Sequence, residues 1–235
     1  MKPLAILLFT LATTALHAQV TLQASAGISG TSVHARHIYE DHSDLGYKPG
    51  KSQGWQAALR AEYRRHNFIF YTGVGLDKRY FYNSYNNYDD QGLYYKPLYL
   101  TLPLGAGYNI SIAKNLGFRL YGGLYGMAGI GGSYRYKAQA VWCEFACPEN
   151  LDQVKNIQYV NSNSIATNLQ LMRYSWGGQL GAGVNLFNRF ELAWMYSSGF
   201  SPIRPKDYSV NFYRMRASSL DVKVKLATFA HAKGK

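Results

Sequence analysis

The stretch PLYLTLPLGAGYNI, residues 97–110, decides the fold. Leu98, Leu100, Leu102 and Leu104 occupy every second position, and small or polar residues alternate with them. Successive side chains of a β-strand point to opposite faces, so this spacing predicts a strand with one apolar face. In a soluble barrel the leucines would pack inside. In a membrane barrel they would face lipid, and the small and polar residues would line the lumen.

The composition favours the membrane alternative. The chain has 235 residues, a length that suits a single all-β domain. It contains 21 Tyr and 23 Gly, and only 16% of its residues are charged, against about a quarter in soluble domains. Beyond the N-terminus, no segment approaches the ~20 consecutive apolar residues of a transmembrane helix. Apolar content spread over alternating strands is typical of transmembrane β-barrels.

Alternation recurs along the chain and predicts eight strands. They are residues 20–33, 54–66, 68–82, 97–110, 116–137, 171–187, 189–200 and 216–229. Short connections follow the second, fourth and sixth strands, and long ones follow the first, third, fifth and seventh. Outer-membrane barrels sort their connections in this way, with short periplasmic turns and long extracellular loops. We therefore predict an all-β fold, an eight-stranded antiparallel up-and-down transmembrane β-barrel.

The two faces of the strands predict which residues meet lipid and which fill the lumen. Aromatic residues lie at both ends of the apolar face, near the two rims. Aromatic side chains are favoured at the two interfaces of a bilayer. The predicted lipid-facing residues are Leu98, Leu100, Leu102, Leu104, Leu180, Val184, Leu192, Trp194, Val222 and Val224. The predicted lumen charge network consists of Arg60, Glu62, Arg64, Arg119, Glu191, Asp221, Lys223 and Lys225, with Asp77 as a further partner. Eight strands leave room only for side chains, so we expect a filled lumen and not a channel.

The N-terminus and the cysteines fit an exported protein. Residues 1–18 carry Lys2, an apolar core and Ala18, a pattern typical of a secretory signal peptide. The predicted barrel then spans residues 19–230, and a short basic tail spans residues 231–235. Because exported proteins favour disulfides, Cys143 and Cys147 are predicted to pair. Free thiols and a metal site are the alternatives for these two cysteines.

Two segments resemble the PorT-like outer-membrane β-barrel proteins. YLTLPLGAGYNI is similar to their Tyr-Leu-x-x-Pro-Leu strand, and residues 177–203 are similar to their Gly-x-Gly strand, tight turn and aromatic strand. The matching residues are Tyr99, Leu100, Pro103, Leu104, Gly181 and Gly183. The resemblance implies an eight-stranded barrel in the outer membrane of a Gram-negative bacterium, and it implies no catalytic residues. One such protein assists a secretion system, so an accessory role in secretion is one alternative function.

Charge points to anionic partners. The formal net charge is +12, and many basic residues lie near the long connections. They are Arg36, Lys48, Lys51, Lys78, Arg79, Lys96, Arg135, Lys137, Arg173, Arg204, Lys206, Arg214 and Arg216. Basic residues bind anionic head groups, so outer-membrane lipids and lipopolysaccharide are the predicted partners, and nucleic acid does not fit this location. The tyrosine-rich residues 80–95 predict either a glycan or protein ligand, or an extension of the aromatic belt.

The sequence predicts no enzyme, no cofactor and no metal site. His34, His37 and His42 cluster with Glu40 and Asp41, but their spacing fits no known metal site well. The rival hypothesis is a lipid A-modifying enzyme that pairs His34 or His37 with Ser32 or Ser43. We predict a monomer with a structural or binding role through its basic, tyrosine-rich extracellular loops.

Overall fold

A computed structural model describes residues 19–37, 52–84, 92–138, 151–161, 170–203 and 210–230. Within these ranges, no helix is long and apolar enough to cross a membrane. The strands of the same ranges are β1 (Gln19–His37), β2 (Ser52–Arg65), β3 (Phe68–Lys78), β4 (Phe81–Ser84), β5 (Gly92–Ala113), β6 (Leu116–Ala138), β7 (Leu151–Asn156), β8 (Gln158–Val160), β9 (Gln170–Met172), β10 (Tyr174–Leu186), β11 (Phe190–Gly199) and β12 (Val210–Ala230).

Eight of these strands close into a ring. Its order is β1, β2, β3, β5, β6, β10, β11 and β12, with β12 paired back to β1. Every neighbouring pair in the ring is antiparallel. A closed ring satisfies the backbone hydrogen bonds that lipid cannot satisfy. The fold is therefore the predicted eight-stranded antiparallel up-and-down transmembrane β-barrel.

Tight turns join the strands at one rim. They lie at His66–Asn67, Lys114–Asn115 and 187–189. His66 has φ 53°, Phe187 has φ 53° and Asn188 has φ 55°, and such left-handed residues match the twist of paired strands in short hairpins. The start of β1 and the end of β12 lie at this same rim, since Gln19 pairs with Ala230. The described strand ends that border the long connections all lie at the opposite rim, as the sequence predicts.

Three details differ from the sequence-based expectation. The predicted third strand is divided into β3 and β4 at Arg79 and Tyr80. The N–H of Arg79 still donates to the carbonyl of its register partner Pro97 at 3.1 Å, but Pro97 has no N–H to donate in return. The predicted sixth strand is split at Arg173, so that β9 pairs in parallel with β8 while β10 stays in the ring. The predicted long loop at 138–170 contains β7, which extends the sheet along β6.

Candidate functional site

The outer surface of the ring is an apolar band. Along β5, Leu102 and Leu104 are exposed, whereas the alternate residue Pro103 is buried. All ten predicted lipid-facing side chains lie on this outer face. Leu102, Leu104, Leu180, Val184, Leu192, Trp194 and Val222 are exposed, and Leu98, Leu100 and Val224 are half-buried. A continuous exposed apolar surface of this kind is typical of a protein whose solvent is lipid.

The lower lumen, near the short turns, contains a buried group of charges that we call the ionic layer. It consists of Glu62, Arg119, Glu191 and Lys223, from β2, β6, β11 and β12. Arg119 Nη1 lies 3.2 Å from Glu62 Oε2 and 2.8 Å from Glu191 Oε2. Lys223 Nζ lies 2.7 Å from Glu191 Oε1. Inward alternation on four strands thus brings two acids and two bases together, and their charges balance.

Neutral side chains complete the ionic layer. The hydroxyl of Tyr121 donates to Glu191 at 2.6 Å from Oε1, and Arg119 Nε donates to Asn109 Oδ1 at 3.1 Å. Lys223 Nζ also lies 4.0 Å from the centre of the Tyr121 ring, a cation–π contact. The lumen charge network predicted from the sequence did not include Tyr121 or Asn109. The signal for Tyr121 is its position two residues after Arg119, because residues two apart share a strand face.

The other four predicted lumen charges also lie on inward strand positions, but they are not members of the ionic layer. Asp221 is buried and accepts a hydrogen bond from Gln56 Nε2 at 2.5 Å. Arg60 is buried over the ring of Tyr71, 5.8 Å from its centre. The half-buried Arg64 donates from Nε to the carbonyl of His66 at 3.2 Å. Lys225 is half-buried at the lower end of β12, without an ion pair in the described ranges.

A second buried ion pair lies higher in the lumen. Arg79 Nε lies 2.7 Å from Asp77 Oδ2, and both side chains are buried. Arg79 was predicted among the basic residues near the long connections that bind anionic head groups, and its buried side chain makes that prediction wrong for Arg79. Its position two residues after Asp77 places both side chains inside the barrel, where each neutralises the other.

A small polar cavity lies beside this pair. It has a volume of about 60 Å³, and its lining includes Arg60, Asp77 and Gln179. Asp77 Oδ1 and Arg60 Nε have no hydrogen-bond partner among the residues that the structure describes. A cavity of this size and polarity fits a few water molecules. It is too small for a ligand larger than a few water molecules.

The upper lumen is filled by apolar and aromatic side chains that we call the aromatic plug. Its members are Phe81, Tyr95, Tyr99, Tyr125, Met127, Tyr134, Ile157, Leu171, Ile203 and Met215. Leu171 is fully buried, although it lies in β9 outside the ring. The N–H of the neighbouring Met172 donates to the carbonyl of Ile203 at 2.8 Å. Residues of the long connections thus fold into the barrel mouth and fill it.

Basic side chains surround the upper rim on the outside. We call Lys78, Lys96, Arg135 and Arg216 the basic rim; each lies on an outward position of its strand, and all but the half-buried Lys78 are exposed. Lys78 Nζ and Lys96 Nζ lie 6.0 and 5.6 Å from the centre of the Tyr80 ring. Arg135 pairs with Asp152. Lys78 is paired across the strands with Trp55 and Leu98, so the cations lie directly above the apolar band.

Several predicted features lie outside the described residues. They are the signal peptide at 1–18, the tail at 231–235, Cys143, Cys147, His42 and Ser43. The same holds for the side chains of His34, Arg36, His37 and Lys137 and for the basic residues Lys48, Lys51, Arg204 and Lys206. Arg173 and Arg214 are described and exposed. No group of three or more metal-binding side chains occurs in the described part of the chain.

Comparison with known proteins finds a matching family model and a set of solved structures with similar folds. The model of a family described as "Outer membrane protein beta-barrel domain" matches residues 16–204. None of the curated proteins matches the chain.

Three solved structures are similar over most of their length. Ail, the attachment invasion locus protein of Yersinia pestis, is 12% identical with a TM-score of 0.42, over 89% of this chain and 99% of Ail. Neisserial surface protein A is 13% identical with a TM-score of 0.42, over 88% and 99%. OprG of Pseudomonas aeruginosa is 11% identical with a TM-score of 0.44, over 91% and 96%.

Proposed function

Because the chain belongs to the outer membrane protein beta-barrel domain family, we propose that it is a non-catalytic, non-conducting protein that binds lipopolysaccharide. The single observation that carries this proposal is the basic rim, which places outward cations directly above an apolar band. An outer-membrane barrel of a Gram-negative bacterium meets lipopolysaccharide at this height. Its phosphates are the anions that lie nearest to these side chains.

The geometry of the rim suits phosphate. Lys78 Nζ and Lys96 Nζ both lie near the ring of Tyr80, so two ammonium groups occupy the same part of the outer surface. Arg216 adds a planar guanidinium that can bind phosphate through two hydrogen bonds. Each basic residue near an anionic membrane surface contributes about 1 kcal/mol to the attraction. A few such residues therefore suffice to hold a lipid that carries several phosphates.

The contents of the lumen support the absence of conduction. The ionic layer closes the lower half with paired charges, and the aromatic plug fills the upper half. The cavity between them, about 60 Å³, is too small to form a continuous water path. We also propose that the protein is a monomer, because the ring closes within one chain and leaves no strand edge in its wall for a second copy.

Neutralising part of the rim tests the proposal. Replacing Lys78 and Lys96 with glutamine should weaken binding of purified protein to lipopolysaccharide about tenfold or more, from the loss of two cations. The measurement is lipopolysaccharide binding in detergent at fixed ionic strength, repeated at higher salt. Because screening weakens only the charged contacts, the difference between wild type and variant should shrink as salt rises.

The opposite rim provides the matched control. Lys114 and Arg189 are exposed cations beside the short turns, and their replacement with glutamine removes the same net charge. This control variant should bind lipopolysaccharide like the wild type. Equal losses in both variants would show attraction by net charge alone, and no loss in the Lys78/Lys96 variant would overturn the proposal.

A further inference from the structure

We propose that the lower mouth of the lumen, at the rim of the short turns, binds a phosphate dianion from the periplasm through Arg64 and Lys225. Both side chains lie on inward positions of the wall, Arg64 at the lower end of β2 and Lys225 near the lower end of β12. This mouth lies at the opposite end of the barrel from the basic rim. The proposal is therefore independent of lipopolysaccharide binding.

The inward-facing charges of the ring do not balance. Among the described residues of the ring strands, the inward acids are Glu62, Asp77, Glu191 and Asp221. The inward bases of the same residues are Arg60, Arg64, Arg79, Arg119, Lys223 and Lys225. The bases outnumber the acids by two. Uncompensated charges inside a protein are costly, so a surplus of this kind attracts counter-ions.

The surplus lies at the lower mouth. The two acids and two bases of the ionic layer balance each other. Arg79 Nε lies 2.7 Å from Asp77 Oδ2. Arg60 is attracted electrostatically to Asp221. The two cations of the mouth remain, and neither of them forms an ion pair with another residue that the structure describes.

The sequence around the short turns provides no acid to neutralise these cations. No Asp or Glu occurs in the described segments 63–70, 107–118, 184–190 and 224–230. The Lys and Arg residues of these segments are Arg64, Arg65, Lys114, Arg189 and Lys225. The three others are exposed, whereas Arg64 and Lys225 are half-buried. A narrow opening lined by one sign of charge, with walls of low dielectric constant, concentrates its field on approaching anions.

The two cations fit a phosphate better than a carboxylate. Arg64 and Lys225 repel each other electrostatically, and Arg119 repels both. A ligand with two negative charges neutralises both cations, and a phosphate or a phosphomonoester carries about −1.5 to −2 at neutral pH. A carboxylate carries one charge. Arg64 Nε donates to the carbonyl of His66 at 3.2 Å, and a guanidinium has further N–H groups on its terminal nitrogens that suit phosphate oxygens.

Removing one inward cation tests the site. The probe is inorganic phosphate, titrated into the purified protein in maltoside detergent at fixed ionic strength. Its binding is followed by NMR shifts of the backbone amides of residues 62–66 and 222–226, which should saturate in the wild type. Arg64→Gln should bind phosphate about tenfold more weakly, because it removes a charged hydrogen-bond donor. Arg65→Gln removes the same charge from the exposed neighbouring position and should bind like the wild type.

Lys225→Gln is a second variant, with Lys114→Gln at an exposed position as its control. It keeps the test decisive if Arg64→Gln does not fold. Equal weakening in an inward variant and its control would show attraction by net charge alone and would overturn the site. The absence of a saturable shift in the wild type would also overturn it. Lys78 and Lys96 stay unchanged in these variants, so the result does not depend on the basic rim.

Further probes test the charge and the source of the ligand. Dimethyl phosphate and acetate carry one negative charge each and should bind several-fold more weakly than inorganic phosphate; equal binding would overturn the assignment to a dianion. Glycerol 3-phosphate should bind like inorganic phosphate. Phosphatidic acid carries the same group on a lipid. Binding of phosphatidic acid that depends on Arg64, without binding of inorganic phosphate, would overturn entry from the periplasm.

Discussion

The two halves of the lumen are both filled by side chains, but the side chains are charged in one half and mostly apolar or aromatic in the other. The lower half is filled by the ionic layer, in which Arg119 and Lys223 share Glu191. The upper half is filled by the aromatic plug, which includes segments from outside the ring. Paired charges depend on complete sets of partners, because removing one leaves another charge buried and unpaired. Apolar packing loses stability gradually, in proportion to the contacts removed. The lower half should therefore be sensitive to single changes, and the upper half should open locally.

The largest effect should come from Glu191→Gln. This change leaves Arg119 with one carboxylate partner and Lys223 with none, and we expect unfolding to become easier by about 3–5 kcal/mol. The measurement is urea unfolding of the barrel reconstituted in lipid vesicles. Asp152→Asn is the matched control, because its ion pair with Arg135 is exposed and such pairs contribute at most about 1 kcal/mol. Similar effects of both changes would remove the distinction between a buried network and a surface pair.

Leu171→Ala should open the upper half without unfolding the ring. A fully buried leucine contributes roughly 2–5 kcal/mol to packing, and here that contribution is confined to the aromatic plug. We expect hydrogen exchange at the N–H of Gly129, bonded to the carbonyl of Arg173, to speed up about a hundredfold. Exchange in β1 and β12 should stay unchanged. Leu180→Ala on the exposed outer face is the control. Parallel acceleration in all strands would show that the plug and the ring unfold as one unit.

Tyr159→Phe should have the smallest effect. It removes the hydrogen bond from the tyrosine hydroxyl to the carbonyl of Gly131 and keeps the ring. A single hydrogen bond contributes about 1 kcal/mol, so exchange at the N–H of Gly129 should rise about fivefold. If the rise equals that of Leu171→Ala, the plug is held by this hydrogen bond and not by apolar packing.

The ring strands were predictable because their two faces meet different solvents. Lipid outside and packed side chains inside impose period two, and residues 97–110 show it without interruption. The short turns were predictable for a related reason, since alternation stops there for only a few residues. The ionic layer was partly predictable, because inward charges on any one strand can be read directly. Which of them meet depends on register, and this is why Asp221 and Lys225 lie apart from Glu191.

The aromatic plug was not predictable from the sequence. Ile157 and Ile203 lie in segments without sustained alternation, and Leu171 is only the first residue of the predicted sixth strand, so no local pattern indicates that these three residues fold into the barrel mouth. Arg79 was predicted among the basic residues near the long connections because it lies toward the upper end of the predicted third strand. Its spacing of two residues from Asp77 was the signal for its buried position. The signal peptide, the pairing of Cys143 with Cys147 and the narrower PorT-like resemblance stay predictions.

The pairing of β1 with β12 also determines when the protein can fold. Gln19 and Ala230 are partners, so the two strands that complete the ring come from opposite ends of the barrel sequence. Contacts this distant in sequence carry a large loop-closure cost and form slowly. The ring cannot close until the last strand has left the cytoplasm. During that interval the apolar face of every earlier strand needs protection from aggregation in the periplasm.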